Sequence, residues 1–238
     1  MDRPFKTTLV IPTIDEIEGM RIIMPQINRE WVDQIIILDG GSTDGTVEYA
    51  KANGYEVYVQ KERGIRAGYL EVLPLVRGDV LIMFSPDGNS MVSAIPMLLD
   101  KMAEGYDMVV ASRYLPPAKS DDDDLLTGFG NWFFTRLVNL LFRVHYTDVM
   151  GMYRAYRISL IKELELDQDR WYSTPEFLLH TRIGWEPMMS GRTAIRKLKV
   201  AEVPADEPPR LGGRRKLQIW RWGMTVLYQY LRDFLIWR

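Results

Sequence analysis

Asp87 and Asn89 are separated by one glycine in the run Ser85-Pro86-Asp87-Gly88-Asn89, directly after the apolar stretch Val80 to Phe84. A carboxylate beside a side-chain amide offers hard oxygen ligands, which suits Mg²⁺ or Mn²⁺ with a diphosphate completing the shell. The same five residues also make an Asp-Gly turn that needs no ligand, and the run alone leaves both readings open. A second polar turn, Asp39-Gly40-Gly41-Ser42-Thr43-Asp44-Gly45-Thr46, follows the apolar Ile35 to Leu38. Its paired glycines let backbone approach a ligand, Ser42 or Thr43 can cap the next helix, and Asp39 stands at the strand tip. A third turn, Pro12-Thr13-Ile14-Asp15-Glu16, closes the run Thr7 to Ile11. Asp15 and Glu16 there can hold a base or ribose, or simply favour a helix N-terminus through its dipole. An apolar run emptying into acid, glycine and serine is how parallel strands deliver ligand-binding residues to the carboxyl edge of an open α/β sheet. The turns after Leu38 and Phe84 therefore imply a nucleotide site, and all three in this order are far more specific than any one.

The elements that must carry these turns are readable from the same pattern. Strand-like runs cover Thr7 to Ile11, Ile35 to Leu38, Glu56 to Val59, Val80 to Phe84 and Met108 to Ala111. Helical spacing covers Glu16 to Arg29, Thr46 to Asn53 closed by Gly54, Ile65 to Val76 closed by Gly78, and Met91 to Glu104 closed by Gly105. Pro74 argues against a full helix in the third of these. Strands and helices alternating at this length predict a doubly wound, mostly parallel sheet. Towards the end of the chain, Leu217, Trp220, Met224, Leu227, Leu231 and Phe234 form an apolar stripe, widened by Trp222, Val226, Tyr230 and Trp237, opposite a narrow polar face of Gln218, Arg221, Thr225, Gln229 and Arg232. Aromatics flanked by basic residues suit a helix lying in a membrane interface, and the same stripe suits a helix packed on its own domain or on a partner. Trp132 to Leu141 reads as a second apolar helix able to join it.

With 238 residues the chain suits one large domain or a domain with a small appendage. Residues 1–205 are expected to form the main domain, and residues 206–238 a basic segment and amphipathic helix. Absence of cysteine excludes disulfides, thiolate chemistry and Cys-ligated zinc, and fits a reducing compartment; His145 and His180 alone make a His-rich metal centre unlikely. The formal net charge of −2 says little, whereas its distribution says more: Asp121 to Asp124 form an acidic run and cations concentrate from Arg192 to Lys216. No secretory signal is read at the start, and Leu217 to Trp237 carries too many polar residues for a membrane span.

Val10-Ile11-Pro12-Thr13-Ile14-Asp15-Glu16, Ile37 to Thr46, the Asp87 turn, Ala111-Ser112-Arg113-Tyr114 and Thr147 to Arg157 together resemble family 2 glycosyltransferases of the GT-A fold. The resemblance is greatest to the dolichol- or polyprenyl-phosphate mannose and glucose synthase branch. It implies a nucleotide-sugar donor lying along the carboxyl edge of the sheet and transfer with inversion. It implies that Pro12, Thr13, Glu16 and Asp39, with Gly41 and Ser42 of the same turn, hold the nucleoside. Asp87 and Asn89 would carry Mg²⁺ or Mn²⁺ and the diphosphate, and Arg113 a phosphate of donor or acceptor. Asp148 would lie near the sugar as an orienting group or base. A phosphate acceptor is already anionic and needs only orientation, whereas a hydroxyl acceptor demands more. Arg154 and Arg157 are candidates for phosphates or for bracing the acidic turn. Arg210, Arg214 and Lys216, in a stretch resembling the family's Arg-x-x-Gly-x-Ser-Lys, are further phosphate cations.

Three places depart from the family pattern. Ser85 replaces the first acid of an Asp-x-Asp pair, and Thr127 to Asn131 stand where relatives carry an Arg for lipid phosphate. Asp121 to Asp124 read as a solvated loop, with a metal or amino-sugar contact as the alternative. The expected activity is metal-dependent transfer of a sugar to a polyprenyl phosphate or related lipid-linked acceptor, by a cytoplasmic protein peripheral to the membrane. A homo-oligomer is compatible with the sequence, and no nucleic-acid partner is expected. The alternatives are transfer to a soluble or glycan hydroxyl, and a nucleotide-sugar-binding protein without turnover, motivated by Ser85. No Gly-x-Gly-x-x-Gly follows the first strand, which disfavours a dinucleotide oxidoreductase.

Overall fold

The computed structural model describes residues 3–174, 183–211 and 219–237. Its centre is one seven-stranded sheet in the order β3-β2-β1-β4-β6-β5-β7, built from β1 (Thr7–Thr13), β2 (Gln34–Asp39), β3 (Glu56–Val59), β4 (Val80–Met83), β5 (Met108–Ser112), β6 (Arg154–Arg157) and β7 (Val200–Pro204). All neighbours run parallel except β6, which is antiparallel to both β4 and β5. The central strands read as unbroken apolar runs because both faces are covered. Alternate residues divide between them: Leu9, Ile11, Ile37 and Ile82 enter one core, and Val10, Ile36, Leu38 and Leu81 the other.

Helices α1 (Ile17–Ile23), α2 (Thr46–Ala52) and α4 (Ala94–Ala103) contribute to the first core, and α3 (Ile65–Val72) to the second. Both α1 and α3 are shorter than their helical spacing suggests. Each gives way to a tight turn containing a proline, Pro25 or Pro74, which cannot donate the next helical hydrogen bond. Register places the functional turns side by side: Thr13 at the tip of β1 pairs with Asp39 at the tip of β2.

The remaining helices are α5 (Leu125–Phe142), α6 (Leu160–Glu163), α7 (Trp185–Ile195) and α8 (Ile219–Ile236). Asp124 caps α5 by accepting the amides of Leu126 and Thr127 at 3.0 and 2.8 Å, and Thr127 closes the reciprocal bond. Helix α8 packs on α5 and α7 of its own domain, and its inward face is mixed, burying Val226, Tyr230 and, at its end, Trp237 beside polar groups. Thr225, Gln229 and Asp233 are 0% exposed, whereas Trp220 is 77% and Leu235 69% exposed. Asp233 receives the buried Arg192 of α7 at 3.0 Å and Arg232 at 2.8 Å, and Gln229 donates to the Gly184 carbonyl at 3.1 Å. Among the described residues, no helix is long and apolar enough to cross a membrane.

Candidate active site

At the tips of β1 and β2 the chain laces two turns together. Asp39 is buried, and its carboxylate accepts the amides of Gly41 and Ser42 at 2.8 and 2.9 Å and the Thr13 hydroxyl at 3.1 Å, as well as the Ser42 hydroxyl. Asp39 thus builds the turn, with its lone pairs directed at its own loop. Gly41 has φ +98°, a backbone conformation costly for any other residue. Ser42 accepts the Asp15 amide at 2.9 Å, Asp15 accepts the Thr43 amide at 2.8 Å, and Thr46 accepts the Glu16 amide at 3.0 Å. Pro12 and Glu16 lie half-buried along the same edge, with Thr13 beneath them.

Asp87 lies beyond β4, buried, and accepts the Asn89 amide at 3.1 Å. Helix α1 approaches this turn so closely that a Cβ on Gly19 would lie 2.3 Å from the Pro86 carbonyl oxygen. Leu211 closes it from the other side, donating its amide to the Asp87 carbonyl at 2.9 Å, and Arg210 stands 3.7 Å from the Asp87 carboxylate. The Asn89 amide is buried and neither its oxygen nor its nitrogen has a hydrogen-bond partner. An orphaned oxygen next to a carboxylate fits a hard cation. Among the described residues no three or more His, Asp or Glu are placed to hold a metal ion together, so such a cation would draw its remaining ligands from phosphate and water.

Beyond β5 lies a dense charge cluster. Arg113 grips Asp148 with Nε at 2.7 Å and Nη2 at 3.0 Å, reaches Glu207 at 3.3 Å, and stands 3.8 Å from Asp123. Asp148 is buried and also accepts the amides of Met150 and Gly151 at 3.1 and 3.0 Å. Burial works to raise its pKa, but the Arg113 charge and these hydrogen bonds outweigh it, so the carboxyl lies below the usual aspartate value. Glu202 of β7 fixes the turn from behind, accepting the Thr147 and Asp148 amides at 2.9 and 3.0 Å. Burial pushes its own carboxyl up, ahead of these hydrogen bonds, which lower it.

Two expectations are corrected by this arrangement. The acidic run is solvated only in part: Asp121 and Asp124 are exposed, whereas the side chains of Asp122 and Asp123 are only 17% and 10% exposed. Arg210, 3.6 Å from Asp122, Arg113 near Asp123, and the Tyr114 hydroxyl donating to Asp123 offset the repulsion. Arg154 does not reach the crevice as a phosphate ligand. It is buried, donating to the Gly151 carbonyl at 3.0 Å, the Ser190 hydroxyl at 3.1 Å and the Glu186 carbonyl at 3.3 Å, and so braces the Asp148 turn. Arg157 pairs with Asp107 at 2.7 Å, at the opposite end of β6. Arg214 and Lys216, like His180, lie outside the described residues. Glu202 and Glu207 escaped the motif reading because each lies in or after an edge strand with no local signature.

From this cluster a groove of about 670 Å³ runs between α5 and α8. Arg113, Asp123, Glu207 and Arg210 form its polar end, and Phe129, Phe134, Trp222, Met224 and Leu227 line the rest.

A nucleotide-type carboxyl edge on this mixed sheet, with an Asp turn and a braced Asp–Arg pair, defines a glycosyltransferase of the GT-A type. The solved glucosyl-3-phosphoglycerate synthase of Mycobacterium tuberculosis, in complex with Mn²⁺, UDP and glucosyl-3-phosphoglycerate, has this fold: TM-score 0.66 at 19% identity, covering 97% of this chain and 80% of that one. The family model for glycosyl transferase family 2 matches residues 8–165, and the chain belongs to that family. It is 31% identical to the polyprenol monophosphomannose synthase of Mycolicibacterium smegmatis, over 85% of this chain and 77% of that protein. It is 25% identical to the undecaprenyl-phosphate mannosyltransferase of Micrococcus luteus, over 94% and 96%.

Proposed function

We propose that the chain is an inverting, metal-dependent transferase that moves a sugar from a nucleotide sugar to a polyprenyl phosphate or related lipid-linked phosphate, working as a peripheral protein at a membrane surface. The observation that carries this reading is the groove between α5 and α8: charged at one end, where Arg113 and Arg210 stand among Asp122, Asp123 and Glu207, and apolar along the rest of its length. The apolar length suits a long lipid chain, and a phosphate head would engage Arg113 and Arg210 by displacing carboxylate partners. The names of the two relatives support the same acceptor, and the Mn²⁺ and UDP of the solved neighbour support a metal-assisted nucleotide donor.

In this reading Pro12, Thr13, Glu16, Gly41 and Ser42 bind the nucleoside along the edge that Asp39 shapes. Asp87 and Asn89 would hold the cation, which when bound neutralises charge developing on the leaving diphosphate. Asp148, kept ionised by Arg113, orients the sugar and acceptor and abstracts no proton, since a phosphate oxygen is already anionic. Arg210 and the basic residues following it receive phosphate.

The test is transfer of label from a panel of nucleotide sugars, with Mg²⁺ or Mn²⁺ and a short polyprenyl phosphate, counted in the organic phase. Label there, lost when the cation is chelated, is the expected result. Donor breakdown with no organic label would overturn the lipid acceptor and favour a soluble one.

A further inference from the structure

Glu202 stands where the sheet calls for an apolar side chain. It is paired with Val110 of β5, and its neighbours Ala201 and Val203 turn toward the first core, so it occupies the face of the sheet that the second core covers. Withdrawing a carboxylate from water costs free energy, and burial pushes its pKa up. Three donors from one turn offset that cost: the Thr147 amide at 2.9 Å, the Thr147 hydroxyl at 3.0 Å and the Asp148 amide at 3.0 Å.

These bonds fix the direction of those beyond them. An ionised carboxylate only accepts, so the Thr147 hydroxyl donates its one hydrogen to Glu202. Ser112 then donates to Thr147 across 2.6 Å, which leaves the Ser112 oxygen to accept the Tyr114 and Leu115 amides at 3.2 and 3.1 Å. One polarised chain thus runs from the turn after β5, through Ser112 and Thr147, to Glu202 on β7. Arg113 lies between Ser112 and Tyr114, and Asp148 follows Thr147. The two side chains that grip each other in the site, at 2.7 and 3.0 Å, are therefore both carried on backbone that the chain fixes. Glu202 itself does not line the groove between α5 and α8. It lines a separate cavity of about 380 Å³ with Leu115, Val144 and Leu198, so it acts on ligands only through the turns it holds.

We propose that Glu202 is a positioning residue for the transfer step: through Thr147 and Ser112 it holds the turns bearing Asp148 and Arg113 in one frame, so that the pair meets the donor sugar and the acceptor as a unit. The proposal rests on the transferase reading for the reaction it serves, whereas the chain rests on the hydrogen bonds alone. Displacing catalytic groups by about 1 Å costs roughly 100-fold in rate. The nucleoside edge at β1 and β2 is untouched by the chain, so that loss should fall on kcat and not on KM.

The experiment uses the full chain carrying Glu202→Gln, Thr147→Val or Thr147→Ser, assayed with the nucleotide sugar that the wild type accepts. Thr147→Val keeps the volume and deletes the hydroxyl, whereas Thr147→Ser keeps the hydroxyl. Glu202→Gln and Thr147→Val are both expected to retain the circular dichroism of the wild type and to lower kcat roughly 30- to 100-fold at unchanged donor KM. Thr147→Ser should hold kcat within about threefold of wild type, and combining Glu202→Gln with Thr147→Val should lose no more than the worse single change. An unchanged kcat, a loss confined to KM, or a Thr147→Ser variant as slow as Thr147→Val would overturn the positioning role. Should Glu202→Gln fail to fold, the two Thr147 variants decide, since neither alters charge. Hydrogen exchange at the Arg113 and Asp148 amides needs no turnover: Thr147→Val should speed it at both, and Thr147→Ser should not. Exchange indifferent to Thr147→Val would refute the chain. Exchange that follows the hydroxyl in a wild type that transfers no sugar would sink the transferase reading and leave the chain intact.

Discussion

Arg113→Ala tests whether the Asp–Arg pair holds the site together. In the protein the Asp148 side chain is fully buried and that of Arg113 is 17% exposed, so the substitution strands a carboxylate away from water. Removing one partner of a buried pair costs roughly 3–5 kcal/mol. Here the amides of Met150 and Gly151 still reach Asp148, and Arg113 is partly open to solvent, so an expectation of about 2–3 kcal/mol is reasonable. For a chain of this size that lowers the melting temperature by roughly 4–12 °C. The pH dependence supplies the sign. In wild type the Asp148 pKa is depressed, so its contribution is complete above the ordinary aspartate value of 3.8 and is lost as pH falls through the folded value. In the variant, burial is opposed by less charge and the folded pKa rises, so protonation relieves the stranded carboxylate. The stability gap between the two proteins should therefore narrow as pH falls from 7 toward 4. Chemical denaturation across that range, with Asp148→Asn and the double variant completing a cycle, measures it. A gap near zero at pH 7, or one constant over the range, would refute the buried-pair argument. Transfer activity should fall together with the pair, since neither variant keeps Asp148 oriented.

Asp87→Asn should cut transfer by roughly 10²–10³ while leaving the melting temperature near wild type, and calorimetry with Mn²⁺ and UDP should show weaker joint binding; undiminished turnover would remove Asp87 from the reaction. Gly88→Ala forces a side chain onto φ +93°, at about 1–2 kcal/mol, and sets its Cβ 2.6 Å from Leu211. It should weaken donor binding by displacing Leu211 and Arg210, and unchanged UDP affinity would show that the Arg210 segment does not serve the donor. Asp233→Ala strands the buried Arg192 and should destabilise by about 3–5 kcal/mol in urea unfolding; a loss under 1 kcal/mol would mean that α8 is held by its apolar contacts instead. Replacing Trp220 and Leu235, both largely exposed, by Ser should leave stability unchanged and lower partitioning onto anionic vesicles by roughly 100-fold, from about 3 kcal/mol of apolar burial; equal partitioning would detach α8 from the membrane reading.

Legibility in the sequence followed burial. Strands β1, β2 and β4 are sandwiched between two cores, so their apolar runs and the turns they empty into were plain from residue types alone. Strand β6 hid because its sequence is Arg-Ala-Tyr-Arg, and Arg154 can be buried only through carbonyl and hydroxyl partners at Gly151, Glu186 and Ser190, most of them distant in sequence. Glu202 and Glu207 were silent for the same reason: their partners Thr147, Asp148, Arg113 and Ser120 arrive from other elements. A run of aspartates likewise carries no sign of which cations will meet it.

The orientation of α8 links these observations. Its apolar stripe alone would turn Trp220, Met224, Leu231 and Phe234 toward the protein, and hydrophobic burial would reward that rotation. The protein instead buries Val226, Tyr230 and Trp237 together with Thr225, Gln229 and Asp233, of which Gln229 and Asp233 are anchored outside the helix, to the Gly184 carbonyl and Arg192. Such bonds are directional and set the helix rotation more sharply than apolar contact does. They leave an apolar surface that α5 extends with exposed Leu125, Phe129, Trp132 and Phe133, flanking the groove mouth. Exposed apolar side chains gathered on two neighbouring helices suit contact with a membrane or a protein partner. On the proposed reading, contact of this surface with a membrane would bring the groove between α5 and α8, which Arg113 lines, toward the bilayer, so that an apolar chain would enter it without passage through water.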